Sequence, residues 1–112
     1  MKKFGLLLFV LGITLTTNAQ KKYEDVAKAT IEEVKTVISI TDAQAKQLYK
    51  IELQKEIDIA AIKKENKGDK KTIQAEMKVV KSASYQASKK IIGKKKMDKL
   101  SAYKKAQRNK SK

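Results

Sequence analysis

The sequence predicts an all-α fold of three to four helices, dominated by a long antiparallel helical hairpin. Three observations carry that prediction. The 112 residues contain no proline. Beyond position 19 the only glycines are Gly68 and Gly93, so the chain has two obvious breakpoints. Between them apolar residues recur three and four apart, the period of one helix face and not the alternation of a strand.

The first helix is read from Tyr23, Val26, Ala27, Thr30, Ile31, Val34, Val37 and Ile38, and it should end around Ser39. Ile40-Thr41-Asp42-Ala43-Gln44 then places a hydroxyl three residues before a glutamine. In that capping box the threonine oxygen accepts from the glutamine N–H, and the glutamine amide group returns to the threonine N–H. Ile40 is placed to staple the entry. A second helix therefore starts at Asp42 and runs to about Asn66, a length of roughly 37 Å at 1.5 Å per residue. Leu48, Ile51, Ile59 and Ile62 gather on one side of it, with Tyr49, Leu53, Ile57 and Ala60 as an adjoining stripe. An arc that wide implies two surfaces. Burial of both is expected, one against the first helix and one against the third; an open binding groove or a dimer face is the alternative.

Asn66-Lys67-Gly68 reads as a helix end with glycine in the left-handed position, and Asp69 as the cap of the next helix. The third helix runs from Lys70 to about Ile92 with Ile73, Met77, Val80, Ser84, Ala87 and Ile91 on one face, flanked by Lys71, Lys78, Lys81, Lys89 and Lys90. Gly93 interrupts it. Met97, Leu100, Ala102 and Tyr103 then indicate a shorter fourth helix ending near Gln107, and residues 108–112 are expected to form a disordered basic tail.

The first 19 residues read as a cleavable signal peptide: basic Lys2 and Lys3, an apolar run from Phe4 to Leu15, and a polar stretch ending at Ala19. That run of 12 residues is short of the roughly 20 needed to cross a bilayer. Cleavage after Ala19 would leave a periplasmic or secreted helical domain over 20–107, with no membrane span in the mature chain. No cysteine is present for a lipid anchor or for disulfide staples, so stability must come from helix packing or from self-association. No histidine is present either, which removes the usual general base near neutral pH and the commonest metal ligand. Glu32 and Glu33 point about 100° apart on a helix, and Glu52 and Glu56 sit among Lys50 and Lys55 as surface pairing. No catalytic residue, metal site or cofactor is assigned, and the chain is read as a non-enzyme.

The net charge of +15 is unevenly placed. From Gln20 to Asn66 nine lysines face nine acids, whereas from Lys67 to Lys112 sixteen Lys and Arg face only Asp69, Glu76 and Asp98. Such a field draws polyanions such as nucleic acid or lipopolysaccharide and acidic unfolded chains, and it also keeps a protein soluble. Only Arg108 of the cations beyond position 19 is an arginine, which argues against base-specific readout.

The segment Ile40-Thr41-Asp42-Ala43-Gln44, opening a long amphipathic helix in a small exported chain, resembles the LTxxQ motif of the Spy/CpxP family of periplasmic proteins, with Ile for Leu. The family carries two such motifs. The second place here reads Ile92-Gly93-Lys94-Lys95-Lys96, with glycine and lysine where threonine and glutamine would stand. The resemblance spans about Tyr23 to Gln107 and implies a cradle-like helical homodimer that holds partly folded clients without ATP, or a role in envelope stress. The expected function is accordingly a chaperone-like or stress-related binding protein, with a polyanion-binding module in the 67–112 half as the alternative. Ile40, Thr41 and Gln44 are assigned to the helix cap; Lys71, Lys78, Lys81, Tyr85, Lys89, Lys90, Leu53 and Ile57 are the expected client or polyanion surface.

Overall fold

A computed structural model describes residues 17–111, with side chains from Gln20 onward. The basic and apolar parts of the expected signal peptide, and Lys112, lie outside the described residues. Four helices make up the described chain, with no strand among its residues: α1 (Thr17–Val37), α2 (Asp42–Glu65), α3 (Lys70–Ile92) and α4 (Lys94–Ser111). None is long and apolar enough to cross a membrane.

α1 already runs from Thr17, six residues ahead of the first apolar position, because no helix breaker stands between them. It stops at Val37, and Thr41, extended at φ −78° and ψ 164°, opens α2 through the expected capping box. Thr41 Oγ1 accepts from the Gln44 N–H at 3.1 Å, and Gln44 Oε1 accepts from the Thr41 N–H at 3.0 Å. At the far end Asn66 closes α2 twice over, its backbone N–H and its Nδ2 both donating to the Ile62 carbonyl. Gly68 turns the chain at φ +90°, a backbone that residues with a Cβ rarely adopt. Asp69 then caps α3, accepting from the Thr72 N–H at 3.1 Å and from its hydroxyl at 2.7 Å. Gly93 makes the second corner at φ +88°; an added Cβ there would meet nothing within 4 Å, so the backbone angle alone selects glycine.

α4 differs from expectation. Instead of stopping near Gln107 it continues to Ser111, so Arg108, Asn109, Lys110 and Ser111 are helical and not a disordered tail. No proline or glycine interrupts the segment, Arg108 and Lys110 lie at the negative end of the helix dipole, and Ser111 Oγ donates to the Gln107 carbonyl at 3.1 Å.

The helices enclose two apolar clusters. The larger joins Ile31, Val34 and Ile38 of the first helix and its exit to Ala45 and Leu48 of α2, Ile92 of α3, and Met97 and Leu100 of α4. The smaller lies near the α2–α3 turn around Ile62 and Val80, with Ile59, Ala61, Ile73 and Met77 against them. α2 is the central helix, sharing its most extensive interfaces with α3 and α1. Both of its apolar stripes are covered: Leu48, Ile57 and Ile62 are buried, and Tyr49, Ile51, Leu53, Ile59 and Ala60 are half-buried.

Candidate functional site

Two features stand out: a hydrogen-bonded clasp between the corners of the chain, and a basic outer face on α3 and α4. The clasp begins with the glutamine that caps α2. While Gln44 Oε1 serves the cap, its Nε2 crosses to α3 and donates to the Ile91 carbonyl at 3.2 Å. From the opposite corner Lys96 Nζ donates to the Ser39 carbonyl at 2.5 Å.

These two bonds are reciprocal. Gln44 is the fifth residue of the segment that begins at Ile40, and Lys96 the fifth of the one that begins at Ile92. Each reaches the carbonyl of the residue just before the other segment. The correspondence continues into the helices, where Ala45 and Leu48 match Met97 and Leu100, all four buried in the one cluster. The second corner thus occupies the place of a second motif: a lysine ammonium takes the bridging role of the glutamine amide, while Gly93, having no hydroxyl, supplies only its backbone carbonyl, which accepts from the Met97 N–H at 3.1 Å. Tyr103 adds a further tie, its hydroxyl donating to Glu33 Oε2 at 2.9 Å. That bond holds the phenolic proton and raises the tyrosine above its ordinary pKa.

The clasp ties the corner between α3 and α4 to the start of α2, and both helices carry lysines at exposed positions. All three acids of this half are engaged locally. Asp69 is the α3 cap, Glu76 accepts from Asn66 Nδ2 at 2.9 Å, and Asp98 pairs with Lys94 at 2.7 Å. The Lys94–Asp98 bridge is the one ion pair found between residues 67 and 111 among those described, so fourteen of the fifteen Lys and Arg there have no carboxylate of a described residue within 4.0 Å. Asp69, held below the usual carboxylate range by its two bonds from Thr72, stays ionised as a cap and lends nothing to those lysines.

Six of the expected surface residues lie on α3. Lys71, Lys78, Lys81, Tyr85 and Lys90 are exposed and Lys89 is half-buried. Lys71, Lys78 and Tyr85, spaced by seven, share one outward stripe, with Lys81 and Lys89 one turn to either side of Tyr85. A shallow open groove of about 280 Å³ runs along this stripe between Gln74, Met77, Lys78 and Lys81. The two α2 residues do not join them. Ile57 is only 5 % exposed, so it offers no solvent-facing surface, and Leu53 is half-buried on the same helix. Other apolar residues reach solvent, above all Val79, at 56 % the most exposed large apolar side chain among the described residues. Its signal was present: it follows a lysine and precedes buried Val80, which places it about 100° off the packed face.

Little else in the described molecule offers a chemical site. A partly open pocket between Ile31, Leu48, Glu52, Met97, Leu100 and Lys104 measures about 30 Å³, room for a water or two. No group of three metal-ligating side chains occurs among the described residues. Asp58 is raised above its usual pKa, mainly by burial, and accepts from Gln54 Nε2 at 2.8 Å. No family model, curated protein or solved structure matches the chain.

Proposed function

We propose that this chain is an exported, non-enzymatic binding protein, a divergent relative of the Spy/CpxP group, that holds partly folded and net-acidic polypeptides on the outer face of α3 and α4. One observation carries the reading. The half of the molecule with the cationic excess spends its three acids on a cap, an amide and a single ion pair, and leaves most of its lysines exposed, Lys71, Lys78, Lys81 and Lys90 among them, on the helix that carries Tyr85, Val79 and the Met77 groove. Charge of this kind brings an acidic chain in, and small apolar contacts between the lysines hold it weakly enough for release. The reciprocal clasp, set where the family places its two motifs, supports the kinship. The test is the aggregation of an unfolding, net-acidic client mixed with the chain from Gln20 onward. Suppression at stoichiometric excess is expected, and no suppression overturns the reading.

A second reading is favoured by the scarcity of exposed apolar surface. Only Val26, Val79 and Tyr85 among the described large apolar residues are exposed, the first on α1 and the other two six residues apart on α3. On this reading the lysines alone do the binding and the partner is a polyanion such as lipopolysaccharide or nucleic acid. Replacing Val79 and Tyr85 with serine separates the two: client holding weakens if polypeptides are the ligand, whereas polyanion binding stays unchanged and falls steeply with salt.

A further inference from the structure

We propose that Gln20, once it is the first residue of the mature chain, cyclises to pyroglutamate, so that the exported protein has no free N-terminal amine. The inference rests on cleavage after Ala19 and adds a modification site to it.

The structure shows what cleavage at that point would leave. α1 is already helical from Thr17, so Gln20 would become the first residue of a helix whose preceding carbonyl acceptors have departed. Its new α-ammonium would sit at the positive end of the α1 dipole, next to Lys21 and Lys22, both exposed. An α-amine ordinarily titrates at about 7.7–8.0, so a fraction of it is neutral near pH 7. The neutral amine is the nucleophile that cyclisation needs. The side chain offers little resistance, since the Gln20 amide is held only by a 3.5 Å contact from Nε2 to Glu24 Oε2, at the outer limit of a hydrogen bond.

The chemistry balances without a co-reactant. The α-nitrogen attacks Cδ of the side-chain amide, a ring C–N bond forms, the bond from Cδ to Nε2 breaks, and Nε2 leaves as ammonia with the proton that the amine gives up. The product removes the unfavourable charge from the helix start. Glu24 is then freed in the first turns of α1, where a carboxylate interacts favourably with the dipole. A closed N-terminus also denies aminopeptidases their starting point, which matters for a chain with no cysteine to staple it.

The experiment is intact mass and N-terminal sequencing of the full-length chain after expression and export, harvested and denatured within minutes so that the reaction does not proceed in the tube. The expected result is a chain that begins at Gln20, is lighter than the free form by one ammonia, resists Edman degradation and becomes readable from Lys21 after pyroglutamyl aminopeptidase. The Gln20→Ala variant should be readable from residue 20 with unchanged helical circular dichroism. A chain that begins at Gln20 with a free amine overturns the cyclisation and leaves the export reading standing. A chain that begins elsewhere overturns the assigned cleavage, and the modification with it.

Discussion

The first and second halves of the chain are both pairs of amphipathic helices, yet they divide their side chains differently. Of the twelve buried apolar residues among those described, eight lie between Ala27 and Ile62 and only Val80, Ile92, Met97 and Leu100 in the later half. Charge runs the other way: from Gln20 to Asn66 it is balanced, and the later half holds the whole cationic excess found beyond Ala19. From Lys81 to Ile91 α3 buries no apolar side chain fully and carries serine, alanine and lysine instead. The lesson is one of division. α1 and α2 supply the core that keeps the molecule folded, and α3 and α4, docked on that core through the clasp, present the charge.

The comparison breaks most easily at its largest expected effect. Leu48 and Leu100 occupy matching positions in the two corners and are 4 % and 6 % exposed. Leu48 lies on the central helix, which has the most extensive interfaces, with α1 and α3, while Leu100 lies on the last helix, whose interfaces with α3 and α1 are smaller, so the site around it collapses more readily. Truncation of a buried leucine to alanine costs about 2–5 kcal/mol. Leu48→Ala should fall in the upper part of that range and Leu100→Ala in the lower part, measured by urea unfolding; equal costs would remove the asymmetry.

The clasp comes next. Gln44→Ala removes the return bond of the cap and the bond to Ile91, and at about 0.5–1.5 kcal/mol for each net hydrogen bond the loss should be about 1–3 kcal/mol. Lys96→Met keeps the aliphatic stem and loses only a solvent-facing bond to Ser39, so it should cost less than Gln44→Ala in the same unfolding titration. Lys96→Gln should retain most of the wild-type stability if the two corners are equivalent.

The smallest effects concern pH. Burial raises Asp58, so the folded state binds its proton more readily than the unfolded one. Its contribution is therefore favourable below the unfolded carboxylate pKa and is lost as pH rises through the folded one. Asp58→Asn should stabilise the protein at neutral pH and leave stability in acid nearly unchanged. Asp69 is lowered, so its contribution is present above the unfolded pKa and lost as pH falls through the folded one. Asp69→Ala should therefore weaken the protein at neutral pH and not in strong acid. Thermal melts across the acid range check both signs.

Much of this was legible from residues close together in the chain. The Thr41–Gln44 cap, the Asp69 cap and the two glycine corners depend on contacts within a few positions, and the expected bounds of α2 and α3 agree with those observed to within a residue. The clasp was not legible, because Gln44 and Ile91 are 47 residues apart and Lys96 and Ser39 are 57 apart. Comparing Ile92-Gly93-Lys94-Lys95-Lys96 with the first motif by residue type shows mainly losses; only the fold reveals that a lysine performs the bridging task. The burial of Ile57 is hidden for a related reason, since a helical wheel shows that a second stripe exists but not what covers it. The end of α4 was misplaced because an apolar pattern marks where packing stops, and an exposed helix continues until a breaker ends it.

The most direct measurement of the functional claim is the binding of a labelled, permanently unfolded, net-acidic polypeptide to the chain from Gln20 onward. It should be compared with two charge-reversed variants, Lys78→Glu with Lys81→Glu and Lys90→Glu on α3, and Lys21→Glu with Lys28→Glu and Lys35→Glu on α1. If the later half presents the binding surface, the α3 variant loses about tenfold or more in affinity, some 1.4 kcal/mol, while the α1 variant stays within about twofold of the parent despite the same change in net charge. Equal losses in both variants would show that net charge alone attracts the client, and would contradict the assignment of the α3–α4 face.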